Sequence, residues 1–204
     1  MFELSLHVLD IVENSLRAEA DSITITVEES VQEDLLEITI SDDGEGMSSD
    51  LLQNATDPFT STKNVRKQNI GLGLPLFKQI ASACDGDFRL DSKEGRGTVC
   101  RASFRRSHPD RPPLGDMAGT IQSVLAGHPD LNLAYLHRTD EEEYRFHTAE
   151  LRAALGELPL DTPSVLNYVR KEIEENLTEI RPEEYIGEPR SALGSPGEEG
   201  GGSE

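Results

Sequence analysis

The chain has 204 residues, of which 35% are hydrophobic, and a formal net charge of −20. This charge argues against a nucleic-acid partner, because phosphate contacts require a clustered excess of Lys and Arg. The apolar runs are too short to cross a membrane and no basic leader begins the chain, so we expect a cytoplasmic protein without a membrane partner.

The first predicted element is a helix over residues 3–18, in which apolar residues recur at helical spacing. Asp10 and Asn14 lie four positions apart, so a carboxylate and an amide share one face of this helix. Asn14 offers a carbonyl oxygen to a hard cation such as Mg²⁺, and Asp10 can orient or deprotonate a nucleophile. An ordinary solvated helix face is the alternative interpretation of the two residues taken alone.

Alternating apolar residues over 22–27 and 36–40 predict an antiparallel pair of strands with one face on the core. The second strand ends at Asp42, which precedes two glycines, Gly44 and Gly46, that allow a flat ligand to come close. A buried Asp42 would accept a hydrogen bond from the amino group of adenine, whereas guanine presents an oxygen there. A tight acidic turn is the alternative.

A polar segment over residues 57–72 has the composition of a lid, because it carries Lys63 and is hinged on glycines. A short helix over residues 50–55, with Ser49 as its cap, is predicted to precede this segment.

The next predicted helix runs from Leu74 to residue 83, directly after Gly71 and Gly73, and Gly86 is expected to close it. The free N–H groups and the dipole of a helix N-terminus favour a phosphate at such a position. Two strands follow over residues 88–92 and 98–104, and Thr98 is expected to direct its hydroxyl toward the preceding acidic turn.

A basic stretch with prolines, residues 105–113, marks a domain boundary, so the first domain is predicted to end at residue 106. Residues 107–181 predict a small αββαα module, which we interpret as a docking module for a protein partner. Its helices are expected over 116–126, 149–155 and 164–180, and its strands over 131–137 and 144–147. The acidic, Gly- and Ser-rich residues 182–204 are predicted to be disordered.

The order of these motifs resembles the ATP-binding domain of the gyrase, Hsp90, histidine-kinase and MutL superfamily over residues 1–106. The matching segments are Asp10-x-x-Glu13-Asn14, Asp42-x-Gly44-x-Gly46, the Asp57-to-Lys63 run, Gly71-Leu72-Gly73-Leu74 and Gly97-Thr98. The run that ends at Lys63 and the second glycine box look like the sensor histidine-kinase branch. The implied fold is α/β, a two-layer α/β sandwich of the Bergerat type, here followed by a small α+β C-terminal module.

The resemblance implies that the domain binds ATP with Mg²⁺. Asn14 would hold the metal ion, and Asp42 would bind the adenine amino group with the support of Thr98. Gly44 and Gly46 would shape the wall beside the adenine.

Phosphate contacts are implied for four further residues. Lys63 would reach the γ-phosphate from the lid. The phosphates would be cradled by Gly71, Gly73 and Leu74.

Two departures from the family pattern limit what the resemblance implies about activity. Only nine residues precede Asp10 in this sequence, so we expect no phosphoacceptor dimerisation segment of the kind that a histidine kinase carries. The hydrolysing members and the stand-alone serine kinases of the superfamily carry Glu at the position of Asp10, as the general base. Asp is one methylene shorter, and a misplacement of about 1 Å costs on the order of a hundredfold in rate, so we expect slow turnover.

The sequence therefore predicts a Mg-dependent ATP-binding protein that acts through a protein partner as a kinase or ATP-driven switch. The alternative is a non-catalytic nucleotide-binding adapter or an assembly subunit of a larger complex, including a redox complex. A MutL or gyrase relative is a poor third interpretation, because the lid sequence differs and no transducer domain follows.

Overall fold

The computed structural model describes residues 3–56 and 73–181. Helices and strands predicted from the sequence are present in these ranges, with ends that differ by a few residues. In chain order they are α1 (Leu4–Arg17), β1 (Ser22–Ser30), β2 (Leu35–Asp42), α2 (Ser49–Asn54), α3 (Gly73–Ala83), β3 (Phe88–Lys93), β4 (Gly97–Arg105), α4 (Met117–Gly127), β5 (Asn132–Arg138), β6 (Glu143–His147), α5 (Thr148–Leu155) and α6 (Pro163–Ile180).

The strands form one six-stranded mixed sheet in the order β3-β4-β2-β1-β5-β6. β1 pairs in antiparallel fashion with β2 and in parallel with β5, so that Ile23 faces Asp42 on one side and Leu133 on the other. The division into two folding units at residue 106 stays a prediction, but the sheet itself continues across that point.

One face of the sheet is buried and the other is polar. In β1, Ile23, Ile25 and Val27 are fully buried, whereas Thr24 between them is exposed. This alternation follows from the period of two in a strand. The buried face joins one hydrophobic cluster with apolar residues of α1, α3, α4 and α6. The fold is therefore the predicted two-layer α/β sandwich, with a mixed sheet that is covered by helices on one face.

Two details at helix ends differ from the sequence prediction. Ser48, not Ser49, caps α2, because the Ser48 side chain accepts a hydrogen bond from the N–H of Leu51. Gly86 was predicted to close α3, but Asp85 takes the left-handed conformation there, with φ of 55°. Gly86 is required for another reason: a Cβ atom would lie 1.7 Å from the carbonyl oxygen of Ser103.

No helix within the two described ranges is both long and apolar enough to span a membrane.

Candidate functional site

A cavity of about 670 Å³ opens at the end of the sheet where β2 stops. This volume is typical of small-molecule sites. α1, the turn after β2, α2, the start of α3 and the β3–β4 hairpin contribute to its walls. Its lining residues are Ile11, Asn14, Ser15, Arg17, Ala18, Ile40, Asp42, Glu45, Gly46, Met47, Ser48, Leu51, Leu74, Glu94, Gly95, Thr98 and Cys100. The structure thus brings together five residues that the sequence singled out: Asn14, Asp42, Gly46, Leu74 and Thr98.

Asp42 is held by three hydrogen bonds at the bottom of β2. Its Oδ1 accepts from the backbone N–H groups of Gly44 at 3.0 Å and Thr98 at 3.1 Å. Its Oδ2 accepts from the hydroxyl of Ser15 at 2.6 Å. A carboxylate offers about four acceptor sites, so Oδ2 retains capacity for one further donor. The carboxylate is thus fixed in place and ready to accept one N–H from a ligand in the cavity.

Ser15 was not identified from the sequence. It lies on the buried face of α1, one turn after Ile11, and only 4% of its surface is exposed. A hydroxyl on a largely apolar helix face was the available signal. It indicates a buried polar partner, but not which one, because Asp42 is 27 residues away in the sequence.

The contact between Thr98 and Asp42 is made by a different group from the one expected from the sequence. Thr98 contacts Asp42 through its backbone N–H, while its hydroxyl forms a hydrogen bond of 2.9 Å with Ser92. The register explains this difference, because Thr98 lies opposite Asp42 on one side and Ser92 on the other.

The two glycines after Asp42 serve different purposes. Gly46 lines the cavity with φ of 67°, and a Cβ atom there would lie 2.1 Å from the carbonyl oxygen of Lys93. Gly44 is buried behind the lining, where a Cβ atom would lie 2.6 Å from the carbonyl oxygen of Ala18. Gly46 therefore shapes the wall directly, whereas Gly44 lets the turn pack on the end of α1.

Asp10 lies outside the cavity lining and meets the start of α3. A Cβ atom on Gly73 would lie 3.1 Å from the Cβ atom of Asp10. The absence of a side chain at residue 73 thus allows the N-terminus of α3 to approach the acidic face of α1. Leu74, the next residue, is 5% exposed and lines the cavity.

Asn14 is engaged by a neighbouring cation. The guanidinium of Arg17 donates to Asn14 Oδ1 at 2.8 Å and to Glu13 Oε2 at 2.7 Å. The oxygen that the resemblance assigns to Mg²⁺ is therefore an acceptor for Arg17 in this structure, and a metal ion would share this oxygen with the guanidinium or displace it. Sequence reasoning did not single out Arg17, although its spacing of three from Asn14 places it on the same face.

The floor of the cavity is apolar. Ile11, Ile40 and Cys100 are each no more than 4% exposed. Burial raises the pKa of the Cys100 thiol to about 12, so this side chain stays protonated and behaves as a small apolar group. The site therefore combines an apolar floor with the oriented carboxylate of Asp42.

Two of the predicted phosphate contacts, Lys63 and Gly71, lie outside the described residues, as does the predicted lid over residues 57–72. Among residues 3–56 and 73–181, no three His, Cys, Asp or Glu side chains come together as a metal cluster.

The profile of one protein family, described as "Histidine kinase-, DNA gyrase B-, and HSP90-like ATPase", matches residues 3–108. This match confirms the resemblance inferred from the order of the motifs.

The chain is also similar to bacterial sensor kinases. A sensor-like histidine kinase of Rhizobium meliloti is 33% identical over 95 residues, which are 45% of this chain and 18% of that protein. Sporulation kinase C of Bacillus subtilis is 30% identical over 91 residues, 45% of this chain and 21% of the kinase. The sensor histidine kinase WalK of the same species is 33% identical over 98 residues, 45% of this chain and 16% of its own. The chain thus spans about a fifth of the length of these relatives.

Among solved structures, the N-terminal domain of a DNA repair protein superposes with a TM-score of 0.49 at 16% identity, over 71% of this chain and 52% of the other.

Proposed function

Because the chain belongs to the family of histidine kinase-, DNA gyrase B- and HSP90-like ATPases, we propose that it binds Mg²⁺-ATP in the cavity at the end of β2. We further propose that it acts through a protein partner, as a kinase or as an ATP-driven switch.

The proposal of nucleotide binding rests on the hydrogen bonding of the Asp42 carboxylate. Its carboxylate is oriented by Ser15 and by two backbone N–H groups, and it keeps one acceptor site on Oδ2. The amino group of adenine supplies one such donor. Guanine would place a carbonyl oxygen against the carboxylate, and the two acceptors would repel each other. The apolar floor beside Asp42 suits the face of a purine.

Two residues of α1 in the cavity wall are suited to the triphosphate end of the nucleotide. Asn14 offers a neutral oxygen of the kind that Mg²⁺ accepts, and Arg17 brings a permanent positive charge to the same wall. In a chain with a net charge of −20, such a local cation is needed to attract a triphosphate. Bound Mg²⁺-ATP supplies a transferable phosphoryl group.

Asp10 is the residue we assign to proton transfer. It is exposed on α1 and lies against Gly73 at the start of α3. A carboxylate there can accept the proton of an attacking hydroxyl or water. The partner would provide the phosphoacceptor, which agrees with the kinase names of the relatives.

The second candidate is a non-catalytic nucleotide-binding adapter or assembly subunit. It is favoured by Asp10, which is one methylene shorter than the Glu of the hydrolysing members. Glu13, the neighbouring carboxylate, is held in an ion pair with Arg17 at 2.7 Å. This ion pair argues against Glu13 as a replacement general base. In this case ATP would set the conformation recognised by the partner, and no phosphate would be transferred.

Calorimetric titrations with ATP and GTP, each with Mg²⁺, test the binding proposal. We expect ATP to bind and GTP to bind at least about tenfold more weakly, because acceptors face each other in the GTP complex. Equal affinities would contradict the role of Asp42.

Incubation of the protein with γ-labelled ATP and bacterial cell extract then separates the candidates. Label on a second protein supports a kinase, and label released to water supports a slow ATPase. ATP that binds but keeps its label supports the adapter.

A further inference from the structure

We propose that residues 113–120, here called the coupling clamp, connect α1 to the C-terminal half of the chain, residues 121–181. Through this connection, nucleotide occupancy of the cavity and the packing of the C-terminal half change together. This inference rests on the proposed function, since it concerns how the same nucleotide site is regulated.

The clamp completes the start of α1. The first N–H groups of a helix have no partner within the helix and are usually satisfied by a capping side chain. Glu3 provides no such cap here. Instead, the N–H of Leu4 donates to the carbonyl oxygen of Pro113 at 3.0 Å, and the N–H of Ser5 donates to that of Leu114 at 2.8 Å. The first N–H groups of the helix that carries Asp10 and Asn14 are thus satisfied by backbone carbonyl groups of the clamp.

Close contact between the clamp and α1 depends on Gly115. Its φ is 81°, a conformation that residues with a side chain rarely adopt. A Cβ atom would also lie 2.5 Å from both the Cβ atom of Glu3 and the Oγ atom of Ser5. Thr120 adds a long hydrogen bond of 3.4 Å to the carbonyl oxygen of Ser5.

The far side of the clamp is anchored in the C-terminal half. Asp116 caps α4 by accepting from the N–H of Gly119 at 2.7 Å, and its other oxygen is paired with Arg170 of α6 at 2.7 Å. α4 packs on α6 and on α1. A contiguous path of packed and hydrogen-bonded groups therefore runs from α6 through the clamp to α1.

At the other end of α1, ligand binding is expected to change existing contacts. The Arg17 guanidinium donates to the Asn14 oxygen and to Glu13, and its positive charge would repel a metal ion at the same oxygen, so we expect both contacts to change when Mg²⁺ binds. α1 has 14 residues, which makes it a rod of about 21 Å. If α1 moves as a rigid rod, a displacement of its pocket end also displaces the end that is bonded to the clamp. Because coupling between two sites is reciprocal, a partner that binds the C-terminal half would change nucleotide affinity by the same factor.

Hydrogen exchange of the full chain, with and without saturating Mg²⁺ and a non-hydrolysable ATP analogue, tests the proposal without any substitution. We expect exchange in the peptides that cover residues 3–8 and 113–120 to slow by about fivefold, the lower end of measured couplings between sites. Exchange in α5, which packs on β5, should change little.

Calorimetry on a matched pair of variants gives a second arm. Gly115→Ala should weaken binding of the analogue by about fivefold. Gly127→Ala, at the end of α4 with nothing within 4 Å, should bind as the parent does. If Gly115→Ala does not fold, the exchange arm decides.

Binding of the analogue with no change of exchange in residues 113–120 would overturn the coupling clamp and leave the proposed function intact. If the parent chain shows no binding heat with the analogue, the proposed function fails and the clamp fails with it.

Discussion

The hydroxyl of Ser15 on α1 donates to Oδ2 of Asp42 at the end of β2, over 2.6 Å. This bond joins the helical layer to the sheet inside the cavity. It also fixes which oxygen of Asp42 stays available, because the two backbone donors use Oδ1. The acceptor for a ligand is therefore defined by two elements that are distant in sequence.

Asp42→Asn should weaken ATP binding by at least about tenfold, because one carboxylate oxygen becomes an amide donor. Whichever way the amide is turned, its NH₂ group faces either two backbone N–H groups or the Ser15 hydroxyl and the adenine amino group. Calorimetry measures the loss, and Asp50→Asn on the exposed surface of α2 is the control. Parental affinity in Asp42→Asn would refute the assignment.

Ser15→Ala should weaken ATP binding by about fivefold, the equivalent of one net hydrogen bond of about 1 kcal/mol. The carboxylate loses the donor that holds Oδ2 in place, so more of its orientations miss the adenine. Ser123→Ala on α4 should have no effect in the same titration. A Ser15→Ala variant that binds ATP more tightly than the parent would show that the hydroxyl competes with the ligand.

Arg17→Gln should weaken the binding of ATP by about tenfold, which corresponds to the loss of a hydrogen bond to a charged group. Its effect on adenosine should be small, because adenosine carries no phosphate. The ratio of the two affinities is the informative quantity, and Lys171→Gln on α6 is a control for the change of net charge. An equal loss for ATP and adenosine would contradict a role of Arg17 at the phosphate end and indicate that the side chain only supports the structure of the site.

Asp10→Asn should abolish phosphate release or transfer while ATP binding stays within about twofold of the parent, because a general base acts on the reaction and not on ground-state binding. Phosphate release under saturating ATP is the measurement, with Asp91→Asn on the open face of the sheet as control. Unchanged turnover in Asp10→Asn would remove this residue from the mechanism.

A buried polar chain at the opposite end of the sheet is expected to contribute to the pH dependence of stability. The Tyr135 hydroxyl lies 2.7 Å from His137 Nδ1, and His137 Nε2 lies 2.9 Å from Glu29, which Arg181 also contacts. Burial lowers the pKa of His137, and Glu29 only partly offsets this effect. Burial alone would raise the pKa of Glu29, but the hydrogen bonds and charges of His137 and Arg181 outweigh it and lower that pKa.

Both shifts have the same consequence for stability. Neutral His137 stabilises the fold above its unfolded pKa of 6.5, and ionised Glu29 does so above 4.5. These contributions are lost as the pH falls through the lower pKa of each folded-state group. We expect the free energy of unfolding, from denaturant titrations, to decrease from pH 7 to pH 5. His137→Gln should flatten that decrease, whereas His128→Gln on the surface should not.

The order of the motifs along the chain was enough to predict part of the candidate site. Asp42, Gly46 and Thr98 were located because a strand, a glycine turn and a hairpin recur in a fixed sequence in this family. Ser15 and the Arg17–Asn14 contact were missed, because a helix face reveals which residues are polar but not their partners. Lys63 and Gly71, outside the described residues, remain predictions.

The same limit explains what was missed in the fold. The hairpins were predictable from alternation and turn glycines, which are local signals. The parallel pairing of Ile23 with Leu133 joins residues far apart in sequence, and no local pattern encodes it. The sequence therefore did not predict that β5 and β6 extend the sheet formed by β1 to β4.

The parallel contact between β1 and β5 also bears on synthesis of the protein. Until residue 138 has left the ribosome, β1 has no neighbour on that side and offers a row of unpaired N–H and C=O groups. Such an edge invites pairing with other chains. Fragments cut at the end of the family match, near residue 108, would carry that edge permanently, and we expect them to aggregate where the full chain does not.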